Sequence, residues 1–422
     1  MRITTRLLVL PLLVAFPECV ALSAQLQPTH ALAPPAADSI PVSIRWNRLV
    51  PILVDEAAAR RRAARTAAAG DSAALRRIAQ TPPPFLFRVY TLLSVAQYAA
   101  VNSARDNRAV SSDVAVAAAS ADVLTDLFTD SAVRVSIARE LARDFDMART
   151  GSRTPDRAIA GRRLGEDVAR RVIAWAPTIN FAAGSNSTVP KGPGMWYSAP
   201  GVPPIGIFFA KSRGWLLDSA SQFRPGPPPA YASPAFQAAM EEVRRVARQR
   251  TSEQTNIAQR WNAADPWALW NETASAALLR DHVSEAEAAR VLAVLNAAAS
   301  DAVIACFEAK YYYWTIRPSQ ADTTLVLADS VNLPNFPSYP SGHACSAGAF
   351  DAVLGHFLPQ DRAQFTRIAE EQAMSRLYGG IHYRFDNDAG LALGRVVARY
   401  AIERERRGGL NAWRVAPVAR KP

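Results

Sequence analysis

The feature that most constrains the fold is the thirty-residue segment from Glu285 to Trp314, which lies within a longer stretch that has no proline or glycine. Its alanine, leucine and valine residues recur at helical spacing, as apolar residues also do between residues 43 and 177 and again from Pro234 onward. No alternating strand pattern and no glycine-rich turn between a strand and a helix interrupts these segments. The sequence therefore predicts an all-α protein built from helical bundles.

Two stretches depart from this helical pattern. Residues 179–232 are rich in proline and glycine, and they carry large aromatic residues that we expect to pack over a neighbouring surface. These aromatic residues are Trp196, Tyr197, Phe208, Phe209 and Trp215. The last residues, 407–422, are rich in arginine and predict a loosely held basic tail.

The N-terminus has the pattern of a secretory signal peptide. Arg2 and Arg6 precede an apolar run from Leu7 to Phe16, and small residues follow it. This pattern predicts a cleaved signal peptide over residues 1–24. No later stretch offers the roughly 18 uncharged apolar residues that a spanning helix needs. We therefore expect an exported, periplasmic or extracellular protein with no integral membrane segment after cleavage.

Together these patterns divide the chain into four parts. Residues 1–24 are the signal peptide, and residues 25–232 are an N-terminal helical half that ends in the loop rich in proline and glycine at about 179–232. Residues 233–406 form a C-terminal helical bundle, and residues 407–422 are the basic tail. The C-terminal bundle contains the motifs described below.

Charge and cysteine content exclude two classes of function. The net charge is +11, but arginine supplies nearly all the positive charge and is interspersed with alanine and acidic residues on predicted helices. A nucleic-acid surface would need clustered basic residues with aromatics, so we expect no nucleic-acid partner. Beyond the predicted signal peptide only Cys306 and Cys345 remain, which gives no disulfide framework and no zinc motif. The two cysteines form either one bridge or two buried thiols.

The segment "NLPNFPSYPSGHACSAGAF", residues 332–350, places a histidine at a predicted helix start. Prolines forbid helix up to Pro340, and helix-forming residues follow His343 without interruption. Ser341 is a candidate N-cap, and Gly342 allows a ligand to approach the backbone. Such a helix end attracts anions, and a histidine beside it can exchange protons with them. In the alternative interpretation Ser341 only caps the helix and His343 is a polar residue of its first turn.

A second segment, "KYYYWTIRP", holds two cations among apolar residues. Lys310 and Arg317 are seven positions apart, which on one helix would put them on the same face, and Pro318 would end that helix. A solvated basic edge would explain them, but cations in so apolar a context are better explained by a shared anion.

A third segment, "SRLYGGIHYRFDNDAG", places a further cation and a histidine around a glycine pair. Arg376 and His382 are six positions apart and lie on different helical faces, so Gly379 and Gly380 must turn the chain if both are to meet one ligand. Asp386 follows His382 by four positions and is well placed to accept a proton from its ring.

Together the three segments resemble the signature of the type 2 phosphatidic acid phosphatase and vanadium haloperoxidase superfamily. That signature reads Lys-x6-Arg-Pro, then Pro-Ser-Gly-His, then Ser-Arg-x5-His-x3-Asp. Every position is filled, by Lys310, Arg317, Pro318, Pro340, Ser341, Gly342, His343, Ser375, Arg376, His382 and Asp386. Over roughly the last 190 residues the chain is most similar to the soluble, secreted vanadium-dependent haloperoxidases.

The resemblance implies a pair of helical bundles with one oxyanion site in the C-terminal bundle, and vanadate as the cofactor. The residues that would bind the oxygens of vanadate or phosphate are Lys310, Arg317, Ser341, Gly342 and Arg376. The residues implied to be catalytic are His343 as acid/base, His382 as vanadium ligand or nucleophile, and Asp386 behind it.

The resemblance leaves two enzymatic activities open. One is a vanadate-dependent haloperoxidase that oxidises halide with hydrogen peroxide to hypohalous acid. The other is an exported soluble acid phosphatase that acts on a phosphomonoester through a phosphohistidine at His382. A non-catalytic helical protein that keeps an anion pocket is a third reading. Halide preference is also open, because Phe336 resembles chloroperoxidase-type members whereas Phe307 replaces the tryptophan expected of them.

Overall fold

The computed structural model describes residues 40–74, 85–150, 155–176, 189–198, 202–207 and 209–415. The predicted signal peptide lies outside these ranges. Within them no β-strand occurs, and the predicted all-α class is confirmed. The helices are α1 (Val42–Ala67), α2 (Leu86–Ala104), α3 (Ser112–Leu127), α4 (Ser131–Thr150), α5 (Pro155–Trp175), α6 (Pro234–Gln249), α7 (Ser252–Ala263), α8 (Pro266–Arg280), α9 (Glu285–Tyr313), α10 (Pro318–Ala321), α11 (Gly342–Phe357), α12 (Arg362–Tyr378) and α13 (Arg384–Arg406).

Four successive helices start where the sequence supplies a capping side chain. Ser233, Thr251, Asp265 and Ser284 precede α6, α7, α8 and α9, and each accepts a hydrogen bond from a backbone N–H of the first turn. Such a bond satisfies a donor that the helix itself leaves unpaired. The Ser284 cap fixes where α9 begins, and thereby which of its residues reach the site at its other end.

Helix α9 is the centre of the core. It packs against α2 from the N-terminal half and against α11 and α13 from the C-terminal half. One hydrophobic cluster runs from Val42 to Trp413 and includes residues of both predicted halves. The two halves therefore share a core, and the predicted boundary near residue 232 stays a prediction.

The same helix is long and apolar enough to cross a membrane by length and composition, and 89% of its most apolar stretch is buried in the fold. Asp301 and Glu308 interrupt this stretch, which is why the sequence shows no uncharged run of the required length. Burial inside a helical core and insertion into lipid demand similar compositions. The absence of a membrane segment therefore stays a prediction.

Two backbone hydrogen bonds join the loop rich in proline and glycine to the segment that follows α9. The backbone N–H of Trp196 donates to the carbonyl of Trp314 at 2.7 Å, and that of Ile316 donates to the carbonyl of Gly194 at 2.9 Å. Trp196, Phe209 and Trp215 are buried, as the sequence predicts, whereas Tyr197 is 53% exposed. Phe208 lies outside the described residues.

A buried carboxylate of α9 holds the end of this loop. Both oxygens of Asp301 accept backbone N–H groups, from Trp215 at 2.6 Å, Leu216 at 2.8 Å and Leu217 at 2.9 Å. Burial raises the pKa of Asp301 to about 6, while the three N–H groups oppose that rise. One side chain of the central helix therefore satisfies three successive backbone donors.

The predicted loose tail is wrong for residues 407–415. Leu410 and Trp413 are buried, and the Trp413 ring lies 5.1 Å from that of Trp215. Arg414 forms an ion pair of 2.8 Å with Asp106 on the N-terminal side. The prediction relied on the basic residues of this segment and gave no weight to Leu410 and Trp413, whose apolar side chains pack into the core. Residues 416–422 lie outside the described part of the chain.

Candidate active site

Lys310 and Arg317 reach the site by a different path from the one predicted. Helix α9 ends at Tyr313, and Trp314 takes a left-handed conformation with φ of 51°. Arg317 follows in extended conformation and precedes the short helix α10. The prediction that both cations share one helical face is therefore wrong, because a non-glycine residue ends the helix four positions before the proline. Both side chains still converge on residues 336–338.

Lys310 is fully buried and donates to two backbone carbonyls. Its Nζ lies 2.9 Å from the oxygens of Pro337 and of Ser338. Burial and, to a smaller extent, repulsion by the nearby Arg317 lower the pKa of Lys310 to about 8. An ammonium group carries three protons, so one remains for a ligand.

Arg317 is also fully buried and fixes two chain segments. Its Nε donates to the carbonyl of Phe336 at 3.0 Å, and its Nη1 donates to the carbonyl of Ile381 at 2.8 Å. The same Nη1 lies 3.0 Å from Nε2 of His382. Its Nη2 is buried and has no partner among the described residues. Burial lowers the pKa of Arg317 to about 10, which leaves it charged at neutral pH.

The glycine pair turns the chain as the sequence predicts. Helix α12 ends at Tyr378, and Gly380 takes a φ of 78°, which only glycine adopts without strain. His382 then lies just before α13, and its Nδ1 is 2.8 Å from Oδ2 of Asp386 in the first turn of that helix. The predicted pairing of His382 with Asp386 is present.

These contacts determine the tautomer of His382. A guanidinium has no acceptor, so Nε2 must accept from Arg317, and Nδ1 must carry the proton donated to Asp386. The pKa of His382 lies well below its usual value, because the ring is buried and because Arg317 and Lys310 repel a further proton. His382 is therefore a neutral imidazole whose Nε2 lone pair faces the cations.

The start of α11 exposes donors that no side chain caps. Ser341 precedes the helix but makes no capping hydrogen bond, and its Oγ is buried without a partner in the described part of the chain. A Cβ built on Gly342 would meet no described atom within 4 Å, so open space lies beside this backbone. Simple capping by Ser341 does not account for this geometry, whereas an oxyanion would satisfy the hydroxyl and the backbone donors.

His343, in the first turn of α11, is held from α12. Its carbonyl accepts from Nε2 of Gln372 at 2.9 Å, and Gln372 accepts in turn from the indole of Trp270 at 2.7 Å. The pKa of His343 lies well below its usual value, first because of burial and then because of Arg376. A hydrogen bond to the Trp261 backbone acts in the opposite direction. A bound anion would offset the repulsion and make His343 easier to protonate.

Arg376 adds a third cation from α12. Its Nε donates to Oγ of Ser375 at 2.9 Å, its Nη2 donates to the carbonyl of Ala258 at 3.2 Å, and 2% of its surface is exposed. Burial and repulsion by Arg317 lower the pKa of Arg376 to about 10.

The site therefore concentrates buried positive charge. Within the described ranges, none of Lys310, Arg317 and Arg376 forms an ion pair with a carboxylate. In the same ranges no group of three His, Cys, Asp or Glu side chains could hold a metal cation. Buried cations without a counter-charge are costly, so a bound anion would stabilise this arrangement. The donors fit an oxyanion such as vanadate or phosphate.

Some residues at the site were not predicted from the sequence. They are Ser338, Gln372 and the carbonyls of Ala258 and Trp261 in α7. Backbone carbonyls leave no trace in a sequence, and nothing in the spacing of Ser338 distinguishes it from other serines. Cys306 and Cys345, for which a bridge was considered, are both buried and free.

Comparison with known proteins identifies the C-terminal region. Residues 290–407 match the model of the PAP2 superfamily, and this stretch contains all eight predicted site residues. This match agrees with the resemblance that the three sequence segments show. The matched region runs from within α9 to just past the end of α13.

Two kinds of curated protein match short stretches of this chain. A lipid A 1-phosphatase of Rhizobium etli is 42% identical over 59 residues, which is 14% of this chain and 25% of that protein. A vanadium-dependent bromoperoxidase of Ascophyllum nodosum is 31% identical over 101 residues, covering 17% of this chain and 18% of that protein. The chain thus spans a quarter or less of these relatives.

Solved structures match over a longer range. A bacterial vanadium-dependent iodoperoxidase superposes with a TM-score of 0.65 at 24% identity, covering 76% of this chain and 91% of its own. A bacterial vanadium-dependent chloroperoxidase in its apo form superposes with a TM-score of 0.61 at 13% identity, covering 78% and 95%. These likenesses confirm the predicted haloperoxidase-type helical fold.

Proposed function

We propose that this protein is a vanadate-dependent haloperoxidase that oxidises halide with hydrogen peroxide to hypohalous acid. The observation that carries the proposal is the neutral His382, whose Nε2 accepts from Arg317 in a site that also holds the buried cations Lys310 and Arg376, none of the three with a carboxylate ion pair in the described residues. A neutral imidazole is a good ligand for a metal centre, and the cations balance the negative oxygens of an oxyanion.

Each residue has a distinct task in this proposal. Lys310, Arg317 and Arg376 would bind the oxygens of vanadate, and Ser341 and the backbone at Gly342 would donate further hydrogen bonds. Nε2 of His382 would bond to the vanadium, with Nδ1–H held by Asp386. Vanadate, when bound, supplies a Lewis-acid centre that activates peroxide towards halide. His343 holds and moves a proton beside it.

A phosphatase activity is the second candidate, and the match to a lipid A 1-phosphatase favours it. The same cations would bind a phosphoryl group, and Nε2 of His382 would form a phosphohistidine. The two chemistries share a geometry, because five-coordinate vanadate resembles the transition state of phosphoryl transfer. The peroxidase is preferred because the haloperoxidase structures match over three quarters of this chain, whereas the phosphatase match spans 59 residues.

One assay distinguishes the two activities. Metal-free protein is tested for iodide and bromide oxidation by peroxide with and without added vanadate, and in parallel for hydrolysis of a phosphomonoester. The proposal expects vanadate-dependent halide oxidation, lost in His382→Ala and kept in His356→Ala, whose exposed histidine lies at the other end of α11. Phosphomonoester hydrolysis that vanadate inhibits, with no halide oxidation, would establish the phosphatase instead.

In both candidates the substrates are small molecules, and no nucleic acid is involved. Export to the periplasm or the medium also belongs to the proposal, since it depends on the predicted signal peptide of residues 1–24. N-terminal sequencing of the protein recovered from its native host would test cleavage near residue 24.

A further inference from the structure

Ser338 lies in the second segment of the signature and contacts the first and the third. Its backbone N–H donates to the carbonyl of Thr315 at 2.9 Å, between Lys310 and Arg317. Its own carbonyl accepts from Nζ of Lys310 at 2.9 Å. Its hydroxyl donates to Oδ2 of Asp386 at 2.6 Å. The residue is fully buried, so no water competes for these bonds.

The contact with Asp386 is made to one oxygen only. Oδ2 accepts from Ser338, from Nδ1 of His382 at 2.8 Å and from the backbone N–H of Tyr383 at 3.1 Å. Oδ1 is buried and has no partner in the ranges that the structure describes. The orientation of this carboxylate therefore rests on three donors at a single atom, and the hydroxyl of Ser338 makes the shortest of the three bonds.

We propose that Ser338 is a positioning residue that, through Asp386, keeps the ring proton of His382 on Nδ1 and leaves Nε2 free for the anion. A hydroxyl that donates to a carboxylate oxygen fixes the rotation of the carboxylate. A correctly rotated Asp386 in turn accepts from Nδ1 of His382 and favours the Nδ1–H tautomer. For the identity of the anion, though not for the tautomer, the inference rests on the proposed function.

Removing the hydroxyl of Ser338 should change the tautomer of His382. In Ser338→Ala, Oδ2 of Asp386 loses its shortest bond, so the carboxylate can rotate away from Nδ1 of His382. The Nδ1–H tautomer is then held by Arg317 alone, and the population with the proton on Nε2, which cannot bond to the anion, rises. Loss of such a supporting hydrogen bond typically lowers affinity or activity by about 10- to 100-fold.

The test compares wild type, Ser338→Ala, Ser338→Cys and Ser275→Ala. Ser275 is an equally buried serine of α8 whose hydroxyl has no partner among the described residues, so it serves as the matched control. Nitrogen-15 NMR of the imidazoles reports the tautomer of His382, calorimetry reports the dissociation constant for vanadate, and thermal unfolding reports stability. We expect the Nδ1–H population and the vanadate affinity to fall in the order wild type, Cys, Ala, because a thiol is a weak donor.

Several results would overturn the inference. One is a folded Ser338→Ala that keeps both the tautomer and the vanadate affinity of wild type. Another is a lower thermal midpoint with an unchanged tautomer, which would indicate a purely structural role. If Ser338→Ala does not fold, Ser338→Cys decides by the same measurements. Failure of wild type to bind vanadate would count against the proposed function alone, because the tautomer is measured without any anion.

Discussion

Nη1 of Arg317 lies 3.0 Å from Nε2 of His382, the atom that bonds to the central atom of the anion in both proposed chemistries. One lone pair cannot serve both partners, so anion binding must break this hydrogen bond. The freed guanidinium can then donate to the anion's oxygens, together with its Nη2, which has no partner in the described residues. Before binding, Arg317 therefore donates a hydrogen bond to Nε2 of His382, and after binding it donates to the oxygens of the anion.

Replacing Arg317 by lysine is expected to weaken vanadate binding by about 10- to 100-fold. An ammonium cannot reproduce the planar fork that contacts Phe336, Ile381 and His382 together, and charge-assisted hydrogen bonds each contribute about 1.5–3 kcal/mol. Calorimetric titration checks this. Arg384→Lys, at an exposed arginine paired with Glu242, is the control and should bind normally. Equal affinity in both variants would contradict the role of Arg317.

The two histidines should fail in different ways. His382→Ala should lose vanadate and any phosphoenzyme, because it removes the atom that bonds to the ligand. His343→Ala should keep much of the anion affinity and lose about 100- to 10,000-fold in turnover, as expected for a general acid/base. Equilibrium dialysis of vanadate together with steady-state rates separates the two. The reverse pattern would show that the ligand and the acid/base are exchanged.

Oxyanion affinity should fall as the pH rises through about 8. Lys310 has a pKa of about 8 when the site is free, so above that pH it loses the proton that attracts an anion. Sulfate is the suitable probe, since it does not titrate in this range. The inflection should vanish in Lys310→Met and persist in Lys191→Met, which alters an exposed lysine.

The lowered pKa of Lys310 also makes the stability of the fold depend on pH, but stability should rise with pH where oxyanion affinity falls. The pKa of Lys310 falls from 10.5 to about 8 on folding, so the unfolded chain binds more protons between these values. The contribution of Lys310 to the free energy of unfolding should therefore rise with pH from about 8 to 10.5. Denaturant titrations of wild type and Lys310→Met without anion would reveal this difference, and parallel pH curves would exclude it.

Asp301→Asn should destabilise the fold by about 1–3 kcal/mol. An amide offers one acceptor oxygen where the carboxylate serves Trp215, Leu216 and Leu217, so at least one buried N–H loses its partner. Urea unfolding checks the loss, with Asp55→Asn at an exposed position as the control.

The contribution of Asp301 to the stability of the fold should also depend on pH. The pKa of Asp301 rises from 3.8 to about 6 on folding, so the folded state binds more protons between these values. The contribution of Asp301 to stability should decline as the pH rises from about 4 to 6, and Asp301→Asn should lack this decline. A variant that follows the wild-type curve would contradict the assignment.

The sequence predicted those parts of the site that depend on local spacing. His382 and Asp386 are four positions apart at a helix start, and a glycine pair must turn the chain before them. Both relations are properties of the backbone over a few residues. The helical fold was predictable for the same reason, since apolar residues recur with a helical period along most of the chain.

Long-range relations could not be predicted in this way. The bend at Trp314 departs from the usual preference for glycine at a left-handed helix end, and its ring packs against Trp196 of a loop more than a hundred positions away. Ser338 gains its importance from partners 23 and 48 positions away, Thr315 and Asp386, which no local pattern brings together. The anchoring of Trp413 likewise depends on a distant tryptophan cluster.

The backbone bonds that join Gly194 and Trp196 to Ile316 and Trp314 have a consequence for how such an enzyme diversifies. The stretch between Lys310 and Arg317 is held in place by a loop that supplies none of the predicted catalytic or anion-binding groups. Insertions, deletions or substitutions in that loop can therefore shift the relative placement of two cations while every signature residue stays the same. Selection on the loop offers a route to new substrate preferences that leaves the inherited chemistry intact.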